Sequence, residues 1–199
     1  MVYVSGVLGL RWSEVVGLRV CRLDFLRRTL TVAETLAEGE GWLVSAEPKT
    51  KASRRTLGVP SSVMDMLAEH LGRRARPDPD ELVFVGPEGQ PLRATNFRRR
   101  IWAPAVEGAG LEGLTFHALR HTAAGLLIEL GAHPRVIQQR LGHASIRTTL
   151  DVYGHVLPLV DSAVTGQLGE LLESSRGLTA ASGQDTASAP VAETLADQG

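Results

Sequence analysis

Fifteen residues, Leu141 to His155 (LGHASIRTTLDVYGH), restrict the architecture of this chain more than any other stretch. Gly142 suits the left-handed C-cap that ends a helix, and Ser145 suits the N-cap that begins another. Two helices therefore meet at a tight corner, with His143 in the corner. Ile146 and Leu150 fall on one face of the second helix, at i and i+4. Tyr153 comes at the loose end of that helix, just before Gly154, where a phenol can move and reach a bound group. A tyrosine beside a glycine usually serves packing. The remainder of the chain supplies the residues that give it a chemical reading.

The chain in order predicts an α+β fold, mostly helical, with a small three-stranded antiparallel sheet. Val2 to Leu18 reads as buried helix broken near Gly9. Thr29–Ala33, Trp42–Ser45 and Arg55–Val59 read as the three strands. The link from Glu47 to Arg54 makes an exposed hairpin carrying Lys49, Lys51 and Arg54. Ser61 to Arg74 is an amphipathic helix with Val63, Met64, Leu67 and Leu71 inward. Thr95 to Glu107 is a helix bent or restarted at Pro104. Thr115 to Leu130 is a helix with Leu119, Ala123, Leu126, Leu127 and Leu130 as its apolar positions. Another helix starts at Pro134, and a last one runs from Pro158 to Ser174. Beyond Ser175 periodicity disappears in Ala, Ser, Thr, Gly and Asp, which predicts a disordered tail over 176–199 behind one domain over 1–175.

Composition enters through charge. The 199 residues have a formal net charge of −1, but six acids and one base lie from Asp161 onward, leaving 20 bases against 16 acids before it. Those bases cluster at Arg27-Arg28, Lys49–Arg55, Arg73-Arg74-Arg76 and Arg98-Arg99-Arg100, as on a surface that meets a polyanion. The single cysteine, Cys21, allows no intramolecular disulfide and fits a reducing cytoplasm. No apolar run reaches the ~20 residues that span a bilayer, so no membrane partner is expected.

Phosphodiester cleavage without a metal needs a small set of groups. Two guanidiniums neutralise the nonbridging oxygens, a phenol attacks phosphorus, and a lysine protonates the leaving oxygen. Histidines hold an oxygen or take the phenol proton. The chain carries one of each at plausible places: Arg11 and Arg120, Tyr153, Lys49, His117 and His143. His117 and Arg120 lie three apart on a helix and so share a face. Lys51, Arg54, Arg98, Arg99, Arg100 and Arg147 are candidate DNA contacts.

The words around these residues resemble the catalytic domain of the tyrosine recombinases, the phage-integrase family. They are Gly9-Leu10-Arg11-x-x-Glu14, Lys49-Thr50-Lys51-x-x-Arg54-Arg55, His117-x-Leu119-Arg120-His121-Thr122 and Leu141-Gly142-His143-x-Ser145-Ile146-x-Thr148-Thr149-x-x-x-Tyr153. They stand in the family's order from about Val7 to His155. The resemblance implies that Arg11, His117, Arg120 and His143 cradle the scissile phosphate, that Glu14 supports the site, and that Lys49 is the general acid. It implies that Tyr153 forms a 3′-phosphotyrosyl link to double-stranded DNA, with no cofactor, ATP or metal. It further implies a homotetramer on DNA in a full-length form, with integration or another site-specific recombination as the outcome. Family members carry an additional helix and domain before the first arginine word. On this reading the chain is amino-terminally truncated and binds DNA weakly and salt-sensitively.

Three other readings compete. A helix-turn-helix regulator would use Arg135 to Tyr153, depend on Arg147 and ignore Tyr153→Phe. A catalytically inactive recombinase remnant would act only as a DNA-binding or interaction module. A type IB topoisomerase would relax strands without exchanging them.

Overall fold

The computed structural model describes residues 1–39, 43–46, 53–74, 77–153 and 164–172; the side chains of Leu43 and of residues 151–153 lie outside that description. Residues 1–154 form one unit, and residues from His155 on form another.

The first unit opens with α1 (Val2–Leu8) and α2 (Trp12–Val16). Gly9 separates them at φ 73°, a left-handed conformation that ends α1. A side chain there would be strained and would meet Leu141 Cδ2 at 2.2 Å. Gly9→Ala is therefore expected to lower stability by about 1–3 kcal/mol, read by denaturant unfolding. An unchanged midpoint would contradict this packing.

Next come β1 (Leu23–Asp24), β2 (Thr29–Val32), β3 (Thr35–Glu38), β4 (Leu43–Ala46) and β5 (Arg55–Gly58). The small three-stranded antiparallel sheet is present, but its order is β1-β2-β5. β2 pairs β5 directly, from Thr29 opposite Gly58 to Val32 opposite Arg55. In place of the expected middle strand, Trp42–Ser45, the described strand is β4, Leu43–Ala46, and it pairs with β3 in a separate two-stranded ladder, Glu38 opposite Leu43 and Thr35 opposite Ala46. β4 thus pairs with the strand just before it in sequence, which is the cheaper closure.

One face of the sheet is buried. Leu30, Val32 and Leu57 pack with Leu8, Leu10, Val15 and the inward face of α3 (Ser61–Gly72), where Val63, Met64, Leu67 and Leu71 lie as expected. The segment expected to bend at Pro104 is α4 (Ala94–Phe97), a π-helical turn over Arg98–Trp102, and α5 (Ala103–Gly108). Pro104 has no N–H to give the carbonyl four residues back, and the ladder widens just ahead of it.

α6 (Ala118–Glu129) packs against α1. Its inward residues include Ala123 and Ala124, while Leu126 and Leu130 are exposed. Small residues let the two helices approach closely, which the expected leucine face would not. α7 (Pro134–Leu141) ends at Gly142 with φ 65° and ψ 44°, the left-handed cap read from the sequence. α8 is Ile146–Tyr153. The Ser145 hydroxyl accepts from the Arg147 N–H at 3.2 Å, as an N-cap does. Among the described side chains of α8 the buried one is Thr149, at 1% exposure, whereas Leu150 is 47% exposed.

The second unit contributes one described helix, residues 164–172, within the expected 158–174 span; Val164, Leu168, Leu171 and Leu172 on it are exposed. The tail expected over 176–199 lies outside the described residues. Among the described residues no helix is long and apolar enough to cross a membrane.

Candidate active site

The C-terminal end of α7 organises the site. The last carbonyls of a helix lack intrahelical partners and carry the negative end of its dipole. Three arginines from three other elements donate to three consecutive carbonyls there. Arg55 on β5 reaches the Arg140 carbonyl through Nε at 2.6 Å. Arg120 on α6 reaches the Leu141 carbonyl at 2.6 Å. Arg11, the residue that caps α2, reaches the Gly142 carbonyl at 3.0 Å. His143 follows immediately.

A single carboxylate holds two of these cations. Glu14, 2% exposed, accepts from the Arg11 backbone N–H at 2.8 Å and from its guanidinium at 3.0 Å. Arg55 grips both oxygens of the same carboxylate, at 2.9 and 3.0 Å. Burial pushes the Glu14 carboxyl up. The hydrogen bond and charge of Arg55, then the N–H and charge of Arg11, outweigh burial and leave it below its ordinary value.

Arg120 is 5% exposed, and its two acceptors among the described residues are neutral carbonyls, Gly9 at 2.5 Å and Leu141. Burial foremost, then the charge of Arg11, push its guanidinium down to about 9, still cationic at neutral pH. It retains N–H groups beyond the two engaged ones. Among the described residues, three guanidiniums against one carboxylate leave two positive charges in excess. An anion seated among them would relieve that imbalance.

His117 is the N-cap of α6, at φ −67° and ψ −27°, and its carbonyl accepts from the Arg120 N–H three residues on at 3.0 Å; His117 is exposed and Arg120 buried. Its ring stacks edge-on with His121 at 5.1 Å. Burial first, then the charges of His121, Arg120 and Arg11, lower its pKa. The preceding Phe116 is fixed in an aromatic cluster, 5.3 Å from Trp12 and 5.2 Å from Trp102, whose indole N–H donates to the Leu114 carbonyl at 2.7 Å.

His143 is held at both ends. Its N–H donates to the Gln138 carbonyl at 3.1 Å, and its Nδ1 lies 2.9 Å from Thr149 Oγ1. Burial, then Arg120, Arg11 and Arg55, push the ring from 6.5 to about 4. It is neutral at pH 7. A ring neutral in the fold but protonated when unfolded weakens the fold as pH falls, beginning near 6.5 and completing near 4. Thermal melting is expected to drop between pH 7 and 5, and to drop less in His143→Gln. A melting temperature flat over that interval would contradict the burial of this ring.

The structure therefore brings together Arg11, Glu14, Arg120 and His143, with His117 close enough to feel their charges. Tyr153 is the last residue of α8, with its side chain outside the described set. Lys49 and Lys51 fall outside the described residues. Arg54 is exposed and lines a groove of about 580 Å³ with Arg55, Arg135, Gln139, Arg140 and His143. Arg98, Arg99 and Arg100 are exposed on the π-helical turn, and Arg147 is exposed on α8. Arg55 is the residue that sequence reading passed over. Its side chain is only 7% exposed. Period-2 alternation places it on the face of buried Leu57, opposite Arg54, and that was the available signal.

The fold is of the DNA breaking-and-rejoining class, and the chain belongs to the phage integrase family, whose model matches residues 2–159. It is 31% identical over 183 residues to a tyrosine recombinase XerC-like protein of Caldanaerobacter subterraneus subsp. tengcongensis, covering 82% of this chain and 46% of that one. It is 29% identical over 177 residues to the ICEBs1 integrase of Bacillus subtilis, covering 85% and 48%. Among solved structures, the Tn1549 transposon integrase in complex with circular intermediate DNA superposes with a TM-score of 0.71 at 27% identity, over 84% of this chain and 58% of that one. The chain thus spans about half the length of the curated relatives it matches.

Proposed function

We propose that this chain is the catalytic part of a site-specific DNA recombinase of the integrase type. The observation that carries the reading is the convergence of Arg11, Arg55 and Arg120 on the α7 C-terminus, with one carboxylate between them. An excess of two positive charges beside the neutral His143 matches the charge that develops on a phosphodiester under attack.

In this reading Arg11 and Arg120 hold the nonbridging oxygens with the N–H groups that the carbonyls leave unused. His143 and His117 complete the cradle, and Glu14 positions Arg11. The phenol oxygen of Tyr153 bonds to phosphorus as the bond to the 5′ oxygen breaks, and the phenol proton passes to the His117 imidazole. Lys49 gives that oxygen its proton, releasing a 5′ hydroxyl and a 3′-phosphotyrosyl strand. Attack by a 5′ hydroxyl on the phosphotyrosine reverses the step and rejoins DNA. One phosphoester replaces another, so the sequence of steps is isoenergetic and needs no nucleotide cofactor. Double-stranded DNA is the substrate, a homotetramer on DNA is the assembly of the full-length form, and the cytoplasm is its place.

The test is a covalent trap. Nicked duplexes are incubated with the protein and run on a denaturing gel, first with DNA flanking the gene and then with a random pool. The nick lets the cleaved fragment diffuse away, so the adduct accumulates. A shifted band absent from Tyr153→Phe is expected. If the parent gives no band where a longer form of the protein does, this chain is a binding remnant.

The groove beside His143 gives a second expectation. Arg54 and Arg135 line it, and each should neutralise a phosphate. Replacing either with alanine is expected to weaken binding to all duplexes alike and reduce the slope of log affinity against log salt by about 1. An unchanged slope would remove that groove from the DNA path.

A further inference from the structure

Thr149 has no place in the chemistry above, yet it is buried on α8, at 1% exposure. A buried hydroxyl must place its proton on an acceptor. In a helix the usual acceptor is the carbonyl four residues back, the arrangement Thr122 adopts with the Ala118 carbonyl at 3.2 Å. Among the described residues, the partner of the Thr149 hydroxyl is instead the Nδ1 of His143, at 2.9 Å. A hydroxyl with no other acceptor donates to that nitrogen, and Nδ1 accepts only when it carries no proton. The proton of the neutral ring is then on Nε2.

We infer that Thr149 is a positioning residue that locks the His143 imidazole as a hydrogen-bond donor, with Nδ1 occupied and Nε2–H presented on the opposite edge. A ring held this way donates to an oxygen and does not collect a proton. The surroundings favour the neutral donor. Arg120 and His121 on α6, Arg11 at the start of α2 and Arg55 on β5 all oppose a positive charge on the ring. The backbone fixes the ring's other degrees of freedom, through the His143 N–H on the Gln138 carbonyl and Gln138 Nε2 on the His143 carbonyl at 3.2 Å. Only the recipient of the Nε2 proton, a phosphate oxygen, rests on the proposed function. The tautomer does not.

The experiment is long-range proton–nitrogen NMR of the ¹⁵N-labelled chain, with His143→Gln to identify the ring's signals. The parent is expected to show a protonated Nε2 and a bare Nδ1 from pH 8 down to about 5. In Thr149→Val the Nδ1 resonance moves as its donor is lost. The ring then titrates nearer the ordinary histidine range, because a hydrogen bond to the neutral form has been removed. Thr149→Ser returns both to the parent values. A parent ring protonated on Nδ1 overturns the inference without any variant. So does a Thr149→Val ring with the parent's resonances and titration. On nicked DNA, adduct formation is expected to slow about tenfold in Thr149→Val and to recover in Thr149→Ser, with DNA affinity unchanged. The donor tautomer in a parent that never forms an adduct leaves this inference standing and removes the proposed function, so the two fail separately.

Discussion

Arg55→Ala is expected to destabilise the first unit by about 3–5 kcal/mol, the cost of stranding a buried carboxylate whose partner has been removed. Arg55 grips both oxygens of Glu14 and also carries the bond to the Arg140 carbonyl. Its loss removes the bridge between β5, α2 and α7 at once. For a unit of about this size the melting temperature should fall by about 10 °C. Glu14→Gln keeps the packing and some of the hydrogen bonds while removing the charge, so its loss should be smaller. Differential scanning calorimetry of the two variants reads this directly. A loss in Arg55→Ala no larger than that of an exposed arginine such as Arg99 would show that the Glu14 pair is not the clamp described here.

Arg120→Lys keeps the charge and is expected to cost the fold about 1–3 kcal/mol for one buried carbonyl left unmet, while slowing adduct formation on bound duplex about 10²–10³-fold. Arg120 spends two N–H groups on the Gly9 and Leu141 carbonyls, and a planar fork alone can do that and still face an oxygen. A lysine retains the charge but offers one nitrogen, which cannot meet two carbonyls and an oxyanion in fixed geometry. Single-turnover cleavage of a nicked duplex separates binding from chemistry. Parent-like adduct rates in Arg120→Lys would mean that the guanidinium serves the fold and not the transition state.

The elements that carry the site were legible where local chemistry alone determines conformation. Gly9 and Gly142 are needed because the chain must turn left-handed, and Ser145 is a cap before the α8 residues. Arg11, Glu14, Arg120 and His143 were marked by their words, and the structure gathers them at one helix end. What was not legible depended on pairing between distant residues. β3 was missed, so Trp42–Ser45 was assigned to the wrong partner. Of the apolar positions read for α6, Ala123 is buried as expected, but Leu126 and Leu130 are exposed, and Ala124 and Ile128 take the inward places. Arg55 opens the third strand beside a run of basic residues, and strand alternation puts it on the Leu57 face; its partner, the buried Glu14, lies 41 residues away in sequence and no local pattern names it. The role of Thr149 depends on a turn: Gly142 carries His143 back to within 2.9 Å of its hydroxyl.

The most direct test of the account is to identify the covalent bond itself. A nicked duplex labelled once on the 3′ side and once on the 5′ side of the cleavage position is trapped with the protein, and the adduct is digested for mass spectrometry. The account predicts that the strand ending in the 3′ phosphate stays on the protein, that the released strand has a free 5′ hydroxyl, and that the modified peptide contains Tyr153. Attachment through a 5′ phosphate, or an adduct that persists at another residue in Tyr153→Phe, would contradict it.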